Sequence, residues 1–267
     1  MTALGGYALE AAVGRGRGST VYLARSVDGA RVALKAAKRA KDFHAEFAVA
    51  RSLRHPYVVD VLDHGIDGGQ AFLVMEHCAG GDLARCPPQP ADAGAMFLQA
   101  AEALAYLHRQ GWVHRDVKPA NLLLRADGSL ALADLGSAAR RGEGGSAVAD
   151  IVVGTPRYAA PEQSRGAPAE PAADVYALGL VLYEWLCGRP AYPGETIIEL
   201  LCQHLLAQVP PLPARHAGWQ PLLDAMLAKE AGRRPADGAA VLRQLKQFPS
   251  IPEPSPGGGA EGLRNPS

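Results

Sequence analysis

The character of the chain changes at Gly80-Gly81, and that change limits the fold more than any other feature. Before it, short β-compatible runs near residues 7–13, 21–25 and 30–36 are separated by glycine-rich or Asp28-Gly29 turn signals, the pattern of an antiparallel meander. Residues 41–54 break the series, because Phe43, Phe47, Ala50 and Leu53 recur at helical spacing before His55-Pro56 stops the run. Residues 58–64 and 71–76 read as two more strands, joined by a turn at 66–70. After the two glycines, residues 93–110 form a long Ala/Leu-rich helix, and the chain beyond Pro161 alternates helical stretches with Pro/Gly breaks. These elements predict an α+β fold: a small β-rich part over about residues 1–76, a larger helical part over about 79–248, and a cleft between them. Residues 249–267 are rich in Pro, Gly and Ser and predict a disordered tail.

Lys plus Arg equals Asp plus Glu at 27 each, so overall charge gives no reason to expect nucleic acid or an anionic membrane as partner. Cys78, Cys86, Cys187 and Cys202 lack metal-ligand spacing and are too sparse for a disulfide framework, which predicts reduced, structural thiols. The longest apolar stretch, 177–187, is interrupted by Gly179 and Glu184, and no basic, apolar N-terminus with a cleavage site is visible. A cytoplasmic protein without a membrane span is expected.

Chemistry first enters at Gly14-Arg15-Gly16-Arg17-Gly18-Ser19-Thr20-Val21. Glycines there allow a strand-to-strand turn whose N–H groups approach phosphate oxygens, while Val21 packs on a base. A glycine-rich hairpin is more often only a turn, so the segment is weak by itself. Val32-Ala33-Leu34-Lys35 follows on the next strand, where alternation puts Ala33 and Lys35 on one face. A lone strand lysine is usually solvated. A carboxylate partner changes that reading, and Glu46 on the following helix is the candidate, with Asp42 and Glu76 as rivals.

The decisive segment is His114-Arg115-Asp116-Val117-Lys118-Pro119-Ala120-Asn121, followed by Asp134-Leu135-Gly136. Here the sequence resembles the eukaryotic-type (Hanks-type) Ser/Thr protein kinase family, through its H-R-D-x-x-x-x-N catalytic loop and, with Leu for Phe, its D-F-G motif. Ser19 stands where the family's glycine loop has a third glycine. The resemblance implies a bilobal kinase fold, ATP as phosphate donor, and Mg2+ or Mn2+ as metal. It assigns Asp116 to the substrate hydroxyl, Lys118 to the moving phosphoryl group, and Asn121 with Asp134 to the metal. Lys35, held by Glu46, would reach the α- and β-phosphates.

The resemblance runs from about Tyr7 to Phe248. Carried over it, Gly154-Thr155-Pro156-Arg157-Tyr158 is similar to the substrate loop, and Ala160-Pro161-Glu162 matches A-P-E. Asp174 resembles the buried carboxylate that supports the catalytic loop, and Arg234 the arginine that pairs with Glu162. Around the base, Met75 would close the back of the adenine site, Glu76, His77 and Cys78 would form the lobe connector, backbone groups of Glu76 and Cys78 would pair with the adenine edge, and Val21, Ala33 and Leu123 would sandwich the ring. Gly14, Gly16 and Ser19 would cover the phosphates. His55-Pro56, Ser19 and Pro161-Glu162-Gln163 look most like bacterial members. Receptor-type members usually continue into a transmembrane helix and external sensor, whereas this sequence runs into a short flexible tail, so a soluble kinase is expected whose regulator, unknown, is another protein or nothing.

Three functions are compatible with such a chain: an active Ser/Thr protein kinase, expected from the resemblance to autophosphorylate, a pseudokinase scaffold, and a small-molecule phosphotransferase. The presence of Lys35, Glu46, Asp116, Asn121 and Asp134 favours an active enzyme, and the substrate loop with A-P-E favours protein substrates. For regulation, Arg115 resembles the arginine that binds an activating phosphate. Ser146 is a candidate acceptor, and Asp150 is a candidate fixed carboxylate in its place.

Overall fold

The computed structural model describes residues 3–16, 18–37, 43–144 and 156–247. In its N-terminal part, β1 (Ala3–Leu4), β2 (Tyr7–Arg15), β3 (Ser19–Arg25), β4 (Arg31–Ala37), β5 (Val61–Asp67) and β6 (Gln70–Glu76) form one sheet in the order β1-β2-β3-β4-β6-β5. Strand β4 lies inside this sheet, and its alternation separates two environments. Val32, Leu34 and Ala36 join Leu4, Ala24, Phe72 and Val74 in an apolar cluster on one face, which leaves Ala33 and Lys35 on the other. Helix α1 (His44–Ser52) packs against β5 and reaches the turn at 135–137.

The meander and the helix appear where the sequence predicts them, but the last hairpin differs. Ile66 and Asp67 belong to β5 and pair with Ala71 and Gln70, so the turn is Gly68-Gly69 and not 66–70. Both glycines have positive φ, 55° and 80°, which permits a two-residue connection that other residues would strain. At the other end, β5 starts at Val61. Residues 58–60 leave the sheet because Val58 bridges Leu132 and the Val59 N–H donates to the Leu132 carbonyl at 2.9 Å.

Beyond β7 (Gly81–Asp82) the architecture is helical: α2 (Ala93–Arg109), α3 (Pro171–Cys187), α4 (Ile197–Leu206), α5 (Gln220–Met226) and α6 (Gly238–Leu245). Short strands β8 (Trp112–Val113), β9 (Leu122–Leu124), β10 (Leu130–Leu132) and β11 (Ala139–Arg140) lie between α2 and α3. β9 is sandwiched by β10 and β7, and β8 pairs with β11. The apolar stretch noted in the sequence is the C-terminal half of α3, a helix buried without a break from Pro171 to Tyr183. A helix apolar on all sides belongs in a core. Among the described residues no helix is long and apolar enough to cross a membrane. Helices α2 and α6 approach so closely at Gly238 that a Cβ there would meet the Ala105 nitrogen at 2.4 Å.

The cysteines are free. Cys86 and Cys202 are exposed, whereas Cys78 is buried, and burial pushes its thiol up to about 11. The thiolate needed for reactivity is scarce at that value.

Candidate active site

The register of the sheet places Val21 of β3 opposite Lys35 of β4, and Ala33 opposite both Leu23 and Met75. The glycine hairpin is closed by the Gly16 N–H donating to the Ser19 carbonyl at 2.9 Å, with Gly14 paired to Val21. Lys35 therefore starts beneath this hairpin and points inward. Its Nζ lies 2.8 Å from Glu46 Oε1 on α1 and 2.8 Å from Asp134 Oδ1. Glu46 is buried, at 8% exposure, and has left the solvated helix face that an isolated glutamate would choose. Burial lowers the Lys35 ammonium's proton affinity, but Asp134 and Glu46 outweigh it, so the net shift is upward and the charge persists. For Asp134, burial pushes upward, but Lys35, with His114 and Lys118 behind it, outweighs that push and holds the carboxyl below its usual range. Asp134 itself sits at φ 65°, a left-handed conformation uncommon for an aspartate.

A second cluster forms in the loop before β9. Lys118 Nζ lies 2.9 and 2.7 Å from the two Asp116 carboxylate oxygens. Asn121 Nδ2 donates to the Asp116 carbonyl at 2.8 Å and to Oδ2 at 3.0 Å. The loop is held from below by Asp174, which is 1% exposed. Its carboxylate accepts the backbone N–H groups of His114 at 2.7 Å and Arg115 at 2.8 Å, and pairs with His108 Nε2 at 3.0 Å. Burial alone would raise the Asp174 carboxyl, but the His108 hydrogen bond and nearby histidines hold it low. Arg115 adopts φ 66°, so this carboxylate fixes a strained backbone position. His114 connects the two clusters: its Nε2 lies 3.0 Å from the Ala133 carbonyl and its Nδ1 accepts the Asp116 N–H at 3.3 Å. Those partners assign the proton to Nε2.

The donor set fits a hard divalent cation. Asn121 turns its amide nitrogen toward Asp116, which leaves Oδ1 without a donor among the described residues. Asp134 gives Oδ1 to Lys35 and likewise keeps Oδ2. Two such oxygens suit Mg2+, which takes the rest of its shell from water and phosphate.

Met75, Cys78 and Leu123 meet at a small apolar cluster with Val59, Ala131 and Ala133. Behind Met75, a space of about 10 Å³ lined by Glu46, Asp134 and Leu135 has room for one water at most. The Glu76 N–H is taken by the Asp60 carbonyl, and the Cys78 carbonyl by the Gly81 N–H, so of Glu76 and Cys78 it is the Cys78 N–H that has no acceptor among the described residues and is left for a base edge.

Glu162 and Arg234 form a direct pair, as expected from the sequence. Arg115 turns its Nε to the Ser137 carbonyl at 2.6 Å, while Ser146, Asp150 and Thr155 lie outside the described residues, as do Asp42 and the tail from residue 249.

Sequence reasoning missed two arrangements. Arg125 grips the Glu76 carboxylate with both Nε and Nη2 at 2.7 Å and also donates to the Pro56, Val58 and Leu130 carbonyls. It ties the lobe connector to the larger lobe and removes Glu76 as a partner for Lys35. Tyr158 donates to Glu184 at 2.7 Å, which explains the one acid in the apolar stretch of α3. That odd acid was the available signal; nothing near Arg125 announced its role.

Residues 7–248 match the family described as Protein kinase domain. A serine/threonine-protein kinase PknL of Mycobacterium bovis is 36% identical over 245 residues, covering 86% of this chain and 61% of that protein. PknB proteins of Mycobacterium tuberculosis and Mycolicibacterium smegmatis are 35% identical over 260 residues, covering 90% of this chain and 42% of theirs. The chain thus spans about three fifths or less of the length of these relatives.

Proposed function

The chain belongs to the protein kinase domain family, and from that premise we propose that it is a Ser/Thr protein kinase that transfers the γ-phosphate of ATP to hydroxyls of protein substrates, its own included. The observation that carries this reading is Lys35 held between Glu46 and Asp134 at 2.8 Å each. A charged amine kept in that position has an electrostatic use, because it can meet phosphate oxygens at the mouth of the cleft.

In the proposed reaction the substrate oxygen attacks the γ-phosphorus and a P–O bond forms. The bond from that phosphorus to the β–γ bridging oxygen breaks, and ADP leaves with the electron pair. Asp116 receives the hydroxyl proton, and Lys118, already beside it, offsets charge on the moving phosphoryl group. Asn121 and Asp134 would hold Mg2+, with Mn2+ as an alternative, and the metal supplies charge neutralisation of the phosphates. Asp174 keeps Asp116 in place through the backbone of His114 and Arg115. Val21, Ala33, Met75 and Leu123 enclose the base. The catalytic unit ends near residue 248, and a cytoplasmic site, where ATP is supplied, belongs to the same reading.

The test is labelled-ATP transfer by the full chain to a generic basic protein and to small-molecule acceptors, with mass spectrometry of the products. Phosphoserine and phosphothreonine in protein are expected. Transfer only to small molecules, or MgATP binding without transfer, would replace the reading with a small-molecule phosphotransferase or a scaffold.

A further inference from the structure

The turn at Pro156–Tyr158, which precedes Ala160-Pro161-Glu162, rests on α3 and α4. Beneath it His204 of α4 is 1% exposed. One ring nitrogen, Nδ1, is 3.0 Å from the Tyr176 hydroxyl of α3. The other, Nε2, is shielded from water and has no hydrogen-bond partner among the described residues. A buried polar atom left in that condition is costly, so it calls for an explanation.

The proton on this ring can be located from its neighbours. The Tyr176 hydroxyl, which also interacts with Tyr192, faces Nδ1 at 3.0 Å and can donate to it. The Lys229 ammonium, which can only donate, lies 3.0 Å from the Tyr192 hydroxyl and 3.3 Å from the Gln203 carbonyl. That cation stands beside the ring and opposes a second proton on it, while the backbone of Arg157 and Pro156 favours one. His204 is therefore neutral, with its hydrogen on Nε2 and the peptide groups of the turn next to that hydrogen. Tyr192 and Tyr176 fix the ring plane, with centroids 5.1 and 5.8 Å from the imidazole.

We propose that His204 is a positioning residue for polypeptide substrate: its Nε2–H is the donor that fixes the backbone of the Pro156–Tyr158 turn as a peptide seats on it. The residue touches neither ATP nor the reacting hydroxyl and acts through the turn. The proposal rests on the kinase reading above, because it takes that turn as a substrate surface.

Two substitutions in the full chain separate this role from packing. His204→Phe keeps an aromatic ring but removes both nitrogens, whereas His204→Gln keeps an N–H donor near the Nε2 position. His204→Phe should raise the KM for a peptide substrate about tenfold, the worth of one hydrogen bond, with kcat and the KM for ATP within about twofold. His204→Gln should recover most of the loss. An unchanged peptide KM in His204→Phe, an equal rise in the KM for ATP, or a Gln variant no better than Phe would overturn the proposal. Nitrogen NMR of the unsubstituted protein gives a test that needs no variant: the hydrogen is expected on Nε2, and an Nδ1–H tautomer overturns the proposal. A wild-type chain that phosphorylates no polypeptide would instead overturn the kinase reading, so the two failures are distinguishable.

Discussion

Glu162 and Arg234 face each other in a two-pronged ion pair, Nη1 to Oε1 at 2.6 Å and Nη2 to Oε2 at 2.8 Å, although 72 residues separate them. The Arg234 side chain is fully shielded and also donates to the carbonyls of Ala172, Ala228 and Lys229, with the Tyr176 ring 4.7 Å from its guanidinium. The pair thereby fastens the segment after the Pro156–Tyr158 turn to the base of α3. Glu162→Gln leaves a buried cation without its counter-charge and should destabilise by about 3–5 kcal/mol, visible as a lower denaturant midpoint. Arg234→Lys should recover little, because an ammonium cannot reproduce the fork.

Glu46 is held at Lys35 by the position of α1, so removing its carboxylate frees Lys35 to lean wholly on Asp134. Glu46→Ala should lower phosphotransfer about a hundredfold, a cost typical of a misplaced catalytic group, while the chain still folds because Asp134 continues to pair Lys35. Full activity in a folded Glu46→Ala protein would mean another carboxylate does this work.

His204 gives a pH dependence of known sign. Burial, then the Lys229 cation, push its imidazolium from the ordinary 6.5 to about 4 in the folded protein. Between those values the unfolded chain binds the extra proton, so stability falls as pH drops from 6.5 to 4, by about 3 kcal/mol in total. The groups facing the ring are Lys229, Tyr176, Tyr192 and Arg157, and none of them changes charge in that window in the direction that would cancel the effect. Unfolding curves at several pH values should show this slope, and His204→Phe should flatten it. Asp134, Asp174 and Glu76, all held below their usual range, add their own loss at lower pH still.

Much of this site was legible because the residues that act together are either contiguous or phased by a regular element. Asp116, Lys118 and Asn121 share one loop, and the alternation of β4 put Ala33 and Lys35 on one face before any partner was known. The sequence left Glu46, Asp42 and Glu76 as rival partners for Lys35, and the contacts Lys35–Glu46 and Arg125–Glu76 exist only in the folded chain. What escaped were contacts created only by tertiary packing. Arg125 meets Glu76 across 49 residues, and His204 meets Tyr176 across 28, with no periodicity linking either pair. The hairpin error at 66–70 was local: Gly68-Gly69 is a complete turn by itself, so the strands run right up to it.

In the proposed reaction the labour is divided between Asp116, beside Lys118 in the loop, and Asp134, beside Lys35, and the most direct measurement compares these two carboxylates. MgATP affinity by calorimetry and transfer rate to protein should be measured for Asp116→Asn and Asp134→Asn in the full chain. Asp116→Asn is expected to bind MgATP nearly as the unsubstituted protein does while losing transfer, and Asp134→Asn to lose both. Wild-type transfer rates in both variants would contradict the assignment of either residue to the reaction.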